Sequence, residues 1–288
     1  MDNQFHVYAC VRSSDSEVLR TNLMLSPEIA NGKVGLTALW DQRSAAHAYA
    51  RAMGTAAAQV VVFAHSDVYF ADGWFERLKW EVDRLNRIDG EWAVASVCGM
   101  TASGEMVGQM WDCSLVPILS GTSGIFGKEL ETPVPIVSLD ESAFVVRRDA
   151  GINFDPLIPE FHLYGNDLVL EAERQGKLSY GLDLPILHNA KPQLKIAADF
   201  VRSYKYMVRK WSDRLPVITP YCTLTSSPFW LPLRRMRIRY KAICRPSTYS
   251  TQRITDPHAK AIELGLTHML LARTADAGGS NRSTPSRA

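Results

Sequence analysis

The sequence lacks a long apolar run, a cysteine pair at metal-ligand spacing and a basic leader followed by an apolar core. Its longest nearly apolar stretch, residues 56–64, is far shorter than the roughly 20 residues that a membrane-spanning helix needs. We therefore expect no spanning helix and no secretory signal. The five cysteines are widely scattered without a CxxC pair, which favours a reduced, intracellular protein over a disulfide framework or a zinc site.

The sequence also lacks the common signatures of nucleotide and nucleophile sites. It contains no GxGxxG, no GxSxG and no HExxH motif. Residues 121–128 resemble a phosphate-binding loop, but Glu129 stands where that loop requires Ser or Thr. The 288 residues are 46% hydrophobic and 22% charged, which excludes a disordered chain and fits one large domain or two small ones.

Charge is distributed unevenly along the chain. Residues 1–201 contain 16 Lys and Arg against 26 Asp and Glu, whereas residues 202–253 contain 12 Lys and Arg and one acid, Asp213. An acidic body is a poor surface for nucleic acid, so we expect no nucleic-acid partner and expect any polyanion to bind the basic segment. The predicted regions are a catalytic-type α/β domain over residues 1–200, a basic extension over 201–253, and a helical stub with a disordered tail over 254–288.

Strands and helices alternate over the first two thirds of the chain. Helical patterns begin near Ser44, Trp74 and Leu168. The alternation indicates an α/β fold with a mostly parallel sheet flanked by helices, in which ligands bind at the carboxyl ends of the strands. The predicted strands cover residues 4–11, 34–40, 59–64, 92–97, 136–139, 142–146 and 178–187.

Asp67 follows the most apolar of these strands, residues 59–64. A carboxylate in that position faces the ligand crevice, and such carboxylates hold Mg²⁺ or Mn²⁺ against a diphosphate. Aspartate is also common as a turn cap, and position alone does not decide between the two interpretations.

Two blocks of sequence resemble the GT-A glycosyltransferases, most closely their bacterial family-2-like branch. Residues 44–69 (SAAHAYARAMGTAAAQVVVFAHSDVY) are similar to the family's segment that runs through a buried strand into its metal-binding DxD motif. Residues 139–148 (LDESAFVVRR), 161–170 (FHLYGNDLVL) and 180–188 (YGLDLPILH) follow in the order of the family's catalytic half. The resemblance covers about residues 4–195 and implies a Rossmann-like GT-A fold.

The resemblance implies an inverting transfer of a sugar from a UDP- or GDP-sugar to an acceptor hydroxyl. It implies that Asp67 holds Mn²⁺ or Mg²⁺ and that His188 is a second ligand, although a strand-end histidine is often a satisfied core residue. His65 stands where the family has the first Asp of DxD, so it is expected to contact the ribose or the metal. The donor's base is expected to lie among Val11, Arg12, Ser13 and Asp41.

The general base is also implied by the resemblance. Asp167 matches the second acid of the family's (E/D)D pair, in which Asn166 replaces the first acid. The alternative is that Asp167 caps the helix that begins there. Asp140 and Glu141 are further candidates as donor-sugar contacts or a backup base, unless they form only a polar bulge between two strands.

Residues 229–245, FWLPLRRMRIRYKAICR, mix apolar and basic side chains. This composition suits the headgroup region of an anionic membrane, and the alternative is a basic helix packed against the acidic body. We expect a cytoplasmic protein, either free or peripheral at the inner face of the membrane, with a saccharide or lipid-linked acceptor. Two other functions stay open: a nucleotide-sugar-binding protein of the same fold without turnover, and an α/β enzyme of another type such as a nucleotidyltransferase.

Overall fold

A computed structural model describes residues 4–113, 124–191, 195–244 and 253–267. The predicted disordered tail and part of the segment that resembles a phosphate-binding loop lie outside these ranges. The strands are β1 (Phe5–Val11), β2 (Gly35–Trp40), β3 (Val60–Ala64), β4 (Val68–Tyr69), β5 (Val94–Ser96), β6 (Cys98–Met100), β7 (Met106–Asp112), β8 (Ile125–Lys128), β9 (Val134–Ile136), β10 (Ser138–Leu139), β11 (Ala143–Arg147), β12 (Ser179–Gly181), β13 (Ile186–His188), β14 (Val217–Ile218) and β15 (Thr223–Leu224). The α-helices are α1 (Ser16–Thr21), α2 (Pro27–Ala30), α3 (Ala45–Thr55), α4 (Trp74–Ile88), α5 (Tyr164–Arg174), α6 (Ala198–Lys210), α7 (Trp230–Cys244) and α8 (Pro257–Glu263), and short 3-10 helices cover Ser13–Asp15, Leu23–Leu25 and Arg148–Ala150.

The large sheet has the strand order β2-β1-β3-β11-β5-β12-β9. β1 pairs in parallel with β2 and β3, and β5 pairs in parallel with β12. β11 lies antiparallel between β3 and β5, and β9 lies antiparallel to β12. The predicted α/β class is therefore confirmed, while the sheet is mixed because β11 enters it from the edge at which β3 ends.

A second sheet has the order β10-β6-β7-β13-β4, with β8 paired to β7. Much of it comes from residues 99–135, for which the sequence predicts no strand. The single strand predicted over residues 178–187 is two strands, β12 in the large sheet and β13 in the second sheet. Pro185 lies between them and has no backbone N–H to continue a ladder, which explains the break.

Apolar side chains pack on both faces of the large sheet. Along β3, Val61 and Phe63 enter one core with α3, α5 and α6, whereas Val62 enters a second core with α4. Every residue of β3 is buried, as its continuous apolar sequence predicts. The result is a central sheet covered by helices on each side.

The basic segment belongs to the same packing unit as the sheet. The predicted boundary at residue 200 falls inside α6, whose Phe200, Tyr204 and Met207 are buried in the first core. α8 corresponds to the predicted helical stub. No helix in the described ranges is long and apolar enough to cross a bilayer. All five cysteines lie in those ranges and are free thiols.

Candidate metal centre and adjoining cavity

The ends of three strands bring two histidines and an aspartate together. His65 directly follows β3, and its N–H donates to the carbonyl of Ser142 at 2.8 Å. Asp67 lies in the turn to β4, where Val68 is the register partner of His188 on β13. This pairing places the His188 side chain beside Asp67.

The three side chains form a candidate metal site. One ligand atom from each of His65, Asp67 and His188 lies within 4.8 Å of the others. Nε2 of His188 is 3.3 Å from Oδ1 of Asp67, and its Nδ1 is 3.5 Å from Oδ2 of Asp112. A carboxylate behind a ligating imidazole is the usual support of a metal-bound histidine. The donor set of two imidazoles and one carboxylate thus fits a divalent ion, and suits Mn²⁺ better than Mg²⁺, which prefers oxygen ligands.

The charges around this site keep the carboxylate ionised. Burial acts to raise the pKa of Asp67, but the charges of His188 and His65 and hydrogen bonds from His188 and Arg253 lower it well below its usual range. Burial acts to lower the pKa of His188, and Asp67 and Asp112 outweigh it and raise the pKa to about 10. Burial lowers the pKa of His65. A metal that binds here therefore meets an ionised carboxylate and the neutral imidazole of His65, and binding to His188 would release the proton of its imidazolium.

Arg253 reaches the same carboxylate from the far end of the chain. Its Nη1 lies 2.9 Å from Oδ2 of Asp67 and also donates to the carbonyl of Asn189. The Asn189 side-chain amide holds Ile254, the residue after Arg253, since it donates to the carbonyl of Ile254 and accepts from its N–H, both at 2.8 Å. Farther along, His258 Nδ1 lies 2.7 Å from the hydroxyl of Tyr69. These contacts hold Arg253 against the metal site.

A cavity of about 520 Å³ adjoins the metal site. Its wall combines residues of both sheets with residues of the basic segment, including Thr219, Tyr221 and Arg234. Such a mixture of acids, cations and polar groups around an apolar floor is typical of a site for a charged, polar ligand. The charged residues that line it, besides the three candidate ligands, are Asp112, Asp140, Glu141, Lys191, Arg234 and Arg253.

Asp167 lies outside this cavity. α5 begins at Tyr164, so Asp167 falls within the first turn and does not cap the helix. Its side chain is 1% exposed, with Oδ1 at 2.7 Å from Nζ of Lys210 and at 2.8 Å from Nε1 of Trp211. Burial raises the pKa of Asp167, against the opposing effect of Lys210. With its oxygens held by these donors, this placement does not support the predicted general-base role.

Asn166 is the member of the pair that lines the cavity. Its Oδ1 accepts from the N–H of Leu139 at 3.1 Å. Successive helical residues point about 100° apart, so only one of two neighbours can face the cavity. Because an amide cannot accept a proton at neutral pH, neither residue of the pair offers a base there.

Asp140 and Glu141 face the cavity instead. Glu141 accepts from the N–H groups of Leu163 and Gly165 at 2.8 and 2.6 Å, and burial raises its pKa to about 8. A Cβ on Gly165 would lie 2.7 Å from Leu139, which explains a glycine at the start of α5. Asp140 is half-buried, and its Oδ1 accepts from the N–H of Ser142 at 2.9 Å.

The residues predicted around the donor's base cluster after β1 and β2. The Asp41 carboxylate accepts from the N–H of Ser13 at 2.8 Å and also from its hydroxyl, and the N–H of Asp41 donates to the carbonyl of Val11 at 2.9 Å. The Arg12 guanidinium lies 5.4 Å from the ring centre of Phe161. This cluster shares the sheet edge of His65 but does not line the 520 Å³ cavity as described. Its donor-binding role stays a prediction.

Two residues of the site were not predicted from the sequence. Asp112 ends β7 and is the register partner of His188, but it lies in residues 99–135, for which the sequence predicts no strand. The sequence of β7, MVGQMWD, does not alternate between apolar and polar residues, so no clear local period marks this strand. No local pattern marks Arg253.

No family model matches the chain. A curated relative from Fuscovulum blasticum, described as ATP synthase subunits region ORF 6, is 29% identical over 134 residues, which cover 44% of this chain and 50% of that protein. The chain thus spans about half the length of the curated relative it matches.

The solved structures that are similar to this chain include a mannosyltransferase, GalNAc-T7 and TarS. One is a mannosyltransferase from Pyrobaculum calidifontis in complex with GDP-Man and Mn²⁺, with 11% identity, 95% of this chain and 80% of that chain covered, and a TM-score of 0.45. A second is GalNAc-T7 with UDP, GalNAc and Mn²⁺, at 12% identity, 73% and 49% coverage, and a TM-score of 0.45. A third is S. aureus TarS in complex with UDP-GlcNAc, at 12% identity, 71% and 64% coverage, and a TM-score of 0.44.

Proposed function

We propose that the chain is a metal-dependent glycosyltransferase that moves a sugar from a nucleotide-diphosphate sugar to an acceptor hydroxyl with inversion. The observation that carries this proposal is the cluster of His65, Asp67 and His188 at the strand ends, open to a cavity of about 520 Å³. The sequence resemblance to family-2-like GT-A enzymes supports the same function, because the motifs that carry it include these three residues.

Each residue of the metal site has a distinct part in this proposal. Asp67, His188 and His65 would hold Mn²⁺ in preference to Mg²⁺, and the bound ion would neutralise charge on the departing diphosphate. Asp112 orients the His188 imidazole. The hydroxyl of Tyr164 lies 3.3 Å from Nε2 of His65 and fixes that ring.

We assign the general base to Asp140. It lines the cavity, and its Oδ1 is used by the neighbouring Ser142 N–H, so Oδ2 is the oxygen placed to accept the proton of the acceptor hydroxyl. Both oxygens of Glu141 accept backbone N–H groups at the start of α5, which gives that residue a positioning part.

The remaining elements of the proposal concern the ligands and the location. The donor carries UDP or GDP, with its base near Asp41 and its phosphates within reach of Arg253 and Lys191. The acceptor is a saccharide or a lipid-linked molecule. We place the protein on the cytoplasmic side of the membrane, where it would use nucleotide sugars as donor substrates.

Transfer by an Asp140→Asn variant tests the base assignment. We expect sugar transfer to fall by about 10²- to 10⁴-fold, as is typical when a general base is removed, with donor binding unchanged. The matched control is Asp167→Asn, which should keep wild-type transfer per folded molecule. Full transfer by Asp140→Asn, or its loss in Asp167→Asn with donor binding and folding intact, would overturn the assignment.

One observation favours a second function, a nucleotide-sugar-binding protein without turnover. Asn166 faces the cavity where the family has an acid, and Asp167 is held by Lys210 and Trp211. If the wild-type protein binds UDP or GDP with Mn²⁺ but neither transfers nor hydrolyses any donor sugar, this second function replaces the first.

A further inference from the structure

Helix α7 carries a stripe of exposed apolar side chains. Phe229, which immediately precedes the helix, and four helical residues are between 53% and 72% exposed. At about 100° per residue, all five fall within an arc of about 80° on one side of the helix. The helical members of the stripe are Leu233, Met236, Tyr240 and Ile243.

The opposite side of α7 is anchored to the body. Trp230, Leu231 and Ile238 pack against the first core, and the Trp230 ring stacks on Tyr204 with centroids 5.8 Å apart. Arg234 donates to the carbonyl of Tyr221 at 2.9 Å. Because the inner face is fixed in this way, the apolar stripe points away from the protein.

Arginines flank the stripe on both sides. Arg237 lies on one side of it, and Arg235 and Arg239 lie on the other. In the described part of the chain, the ion pairs of the basic segment are made by Arg202, Lys210, Arg214 and Arg253, and none by these three flanking residues. The acidic body therefore does not neutralise these three arginines, which argues against the alternative of a basic helix packed against that body.

We propose that α7 docks on an anionic membrane surface. The apolar stripe would enter the boundary between headgroups and acyl chains, and the flanking arginines would contact lipid phosphates, which is the arrangement of interfacial amphipathic helices. A second copy of the chain fits this face less well, because α7 contains no acid and pairing two copies would bring like charges together.

A groove beside the stripe adjoins the metal cavity. It has a volume of about 480 Å³ and lies between α7 and the β14–β15 hairpin, with Leu233, Met236 and Arg237 at its rim. Thr219, Pro220, Tyr221 and Arg234 line both the groove and the metal cavity. Resting on the proposed function, docking at α7 would place the groove and the metal cavity beside the membrane, which suits a membrane-borne acceptor.

Vesicle sedimentation of the full chain tests the docking. Vesicles of phosphatidylcholine alone are compared with an equal mixture of phosphatidylcholine and phosphatidylglycerol, without nucleotide or metal. We expect binding to the anionic vesicles only, and its loss at about 0.5 M salt, where charges are screened within about 4 Å. A Leu233→Ser, Met236→Ser, Tyr240→Ser variant should bind anionic vesicles at least about tenfold more weakly, since it loses buried apolar area.

The control is Leu157→Ser, which removes an equally apolar side chain, 70% exposed, outside α7 and should bind as the wild type does. All substituted residues are exposed, and thermal melting checks folding.

No binding at low salt, equal binding to uncharged vesicles, or unaltered binding by the triple variant would overturn the proposal. So would a concentration-dependent dimer that the triple variant abolishes, since a second copy would then cover the stripe. Because donor and metal are absent, failure here leaves the proposed transferase function standing, and failure of donor binding leaves the docking standing.

Discussion

The sequence marks Asp67 and Asp167 as site residues. Asp67 is partly buried and Asp167 is fully buried, and the structure gives them opposite surroundings. The partners of Asp67 are an imidazole and a guanidinium that both line the large cavity. The partners of Asp167 are the ammonium of Lys210 and the indole of Trp211, which close around it. The pKa of Asp67 is lowered, whereas burial raises the pKa of Asp167.

The difference shows how a buried carboxylate can be assigned. A carboxylate that lies away from any cavity, with hydrogen-bond donors on both oxygens, stabilises the fold. Its removal leaves those buried donors without an acceptor. A carboxylate that shares an open cavity with imidazoles has room for an ion or a substrate. The two aspartates should therefore separate cleanly when stability and binding are measured on the same variants.

The largest effect on stability is expected for Asp167→Asn. This change leaves the Trp211 N–H or the Lys210 ammonium without its charged acceptor, although Lys210 keeps Asp155 at 2.8 Å. We expect the free energy of unfolding to fall by about 2 kcal/mol, with the m value of urea denaturation unchanged. Asp67→Asn should also lower it, because the lowered pKa of Asp67 means that the ionised carboxylate stabilises the folded state. The two variants should differ in binding instead: Asp67→Asn should lose Mn²⁺ binding and Asp167→Asn should keep it, and equal Mn²⁺ affinity in the two would contradict this contrast.

Arg253→Ala should strengthen metal binding in the absence of nucleotide. The guanidinium occupies one oxygen of Asp67, and its charge opposes a second cation. We expect Mn²⁺ to bind roughly fivefold more tightly by calorimetry, the equivalent of about 1 kcal/mol for one partly exposed ion pair. UDP binding in saturating Mn²⁺ should weaken, since a phosphate contact is lost. Arg239→Ala, an exposed arginine on α7, is the control, and unchanged Mn²⁺ affinity in Arg253→Ala would contradict the expectation.

A smaller, pH-dependent effect on the free energy of unfolding is expected for Glu141. This residue lines the cavity, as Asp67 does, and accepts hydrogen bonds from two backbone N–H groups. Its pKa is raised from 4.5 to about 8. A carboxyl with a raised folded-state pKa stabilises the fold fully below the unfolded value, and this contribution is lost as the pH rises through the folded value. Urea denaturation should therefore show wild type losing more stability between about pH 5 and pH 9 than Glu141→Gln. A flat or reversed difference would contradict this.

The local pattern of the sequence was sufficient for the α/β class and for the end of β3. β3 is continuously apolar, so its end, and with it His65 and Asp67, is defined by the sequence itself. His188 was expected at the end of another strand, and parallel strand ends meet at one sheet edge. The α/β class followed from that reasoning and agrees with the structure, whereas His188 meets Asp67 through β13, which lies in the second sheet and pairs antiparallel with β4.

The local pattern of the sequence did not predict the orientation of Asp167, nor the two other residues of the site, Asp112 and Arg253. α5 begins at Tyr164, four residues before the predicted start at Leu168, and that shift decides which side chain faces the cavity. Asp112 meets His188 only through the register of β7 and β13. Arg253 meets Asp67 from 186 residues away along the chain. Such long-range contacts depend on tertiary packing, which a single sequence does not encode in any local period.

Calorimetric titration with UDP and GDP, with and without Mn²⁺, tests the central claim most directly. The account predicts that one of these nucleotides binds only when Mn²⁺ is present. It also predicts that Asp67→Ala weakens this binding by at least about 100-fold, the equivalent of about 2.7 kcal/mol, while Asp167→Asn binds as the wild type does. Binding that needs no metal and is unchanged in Asp67→Ala would contradict the account, and so would the absence of binding of either nucleotide with Mn²⁺.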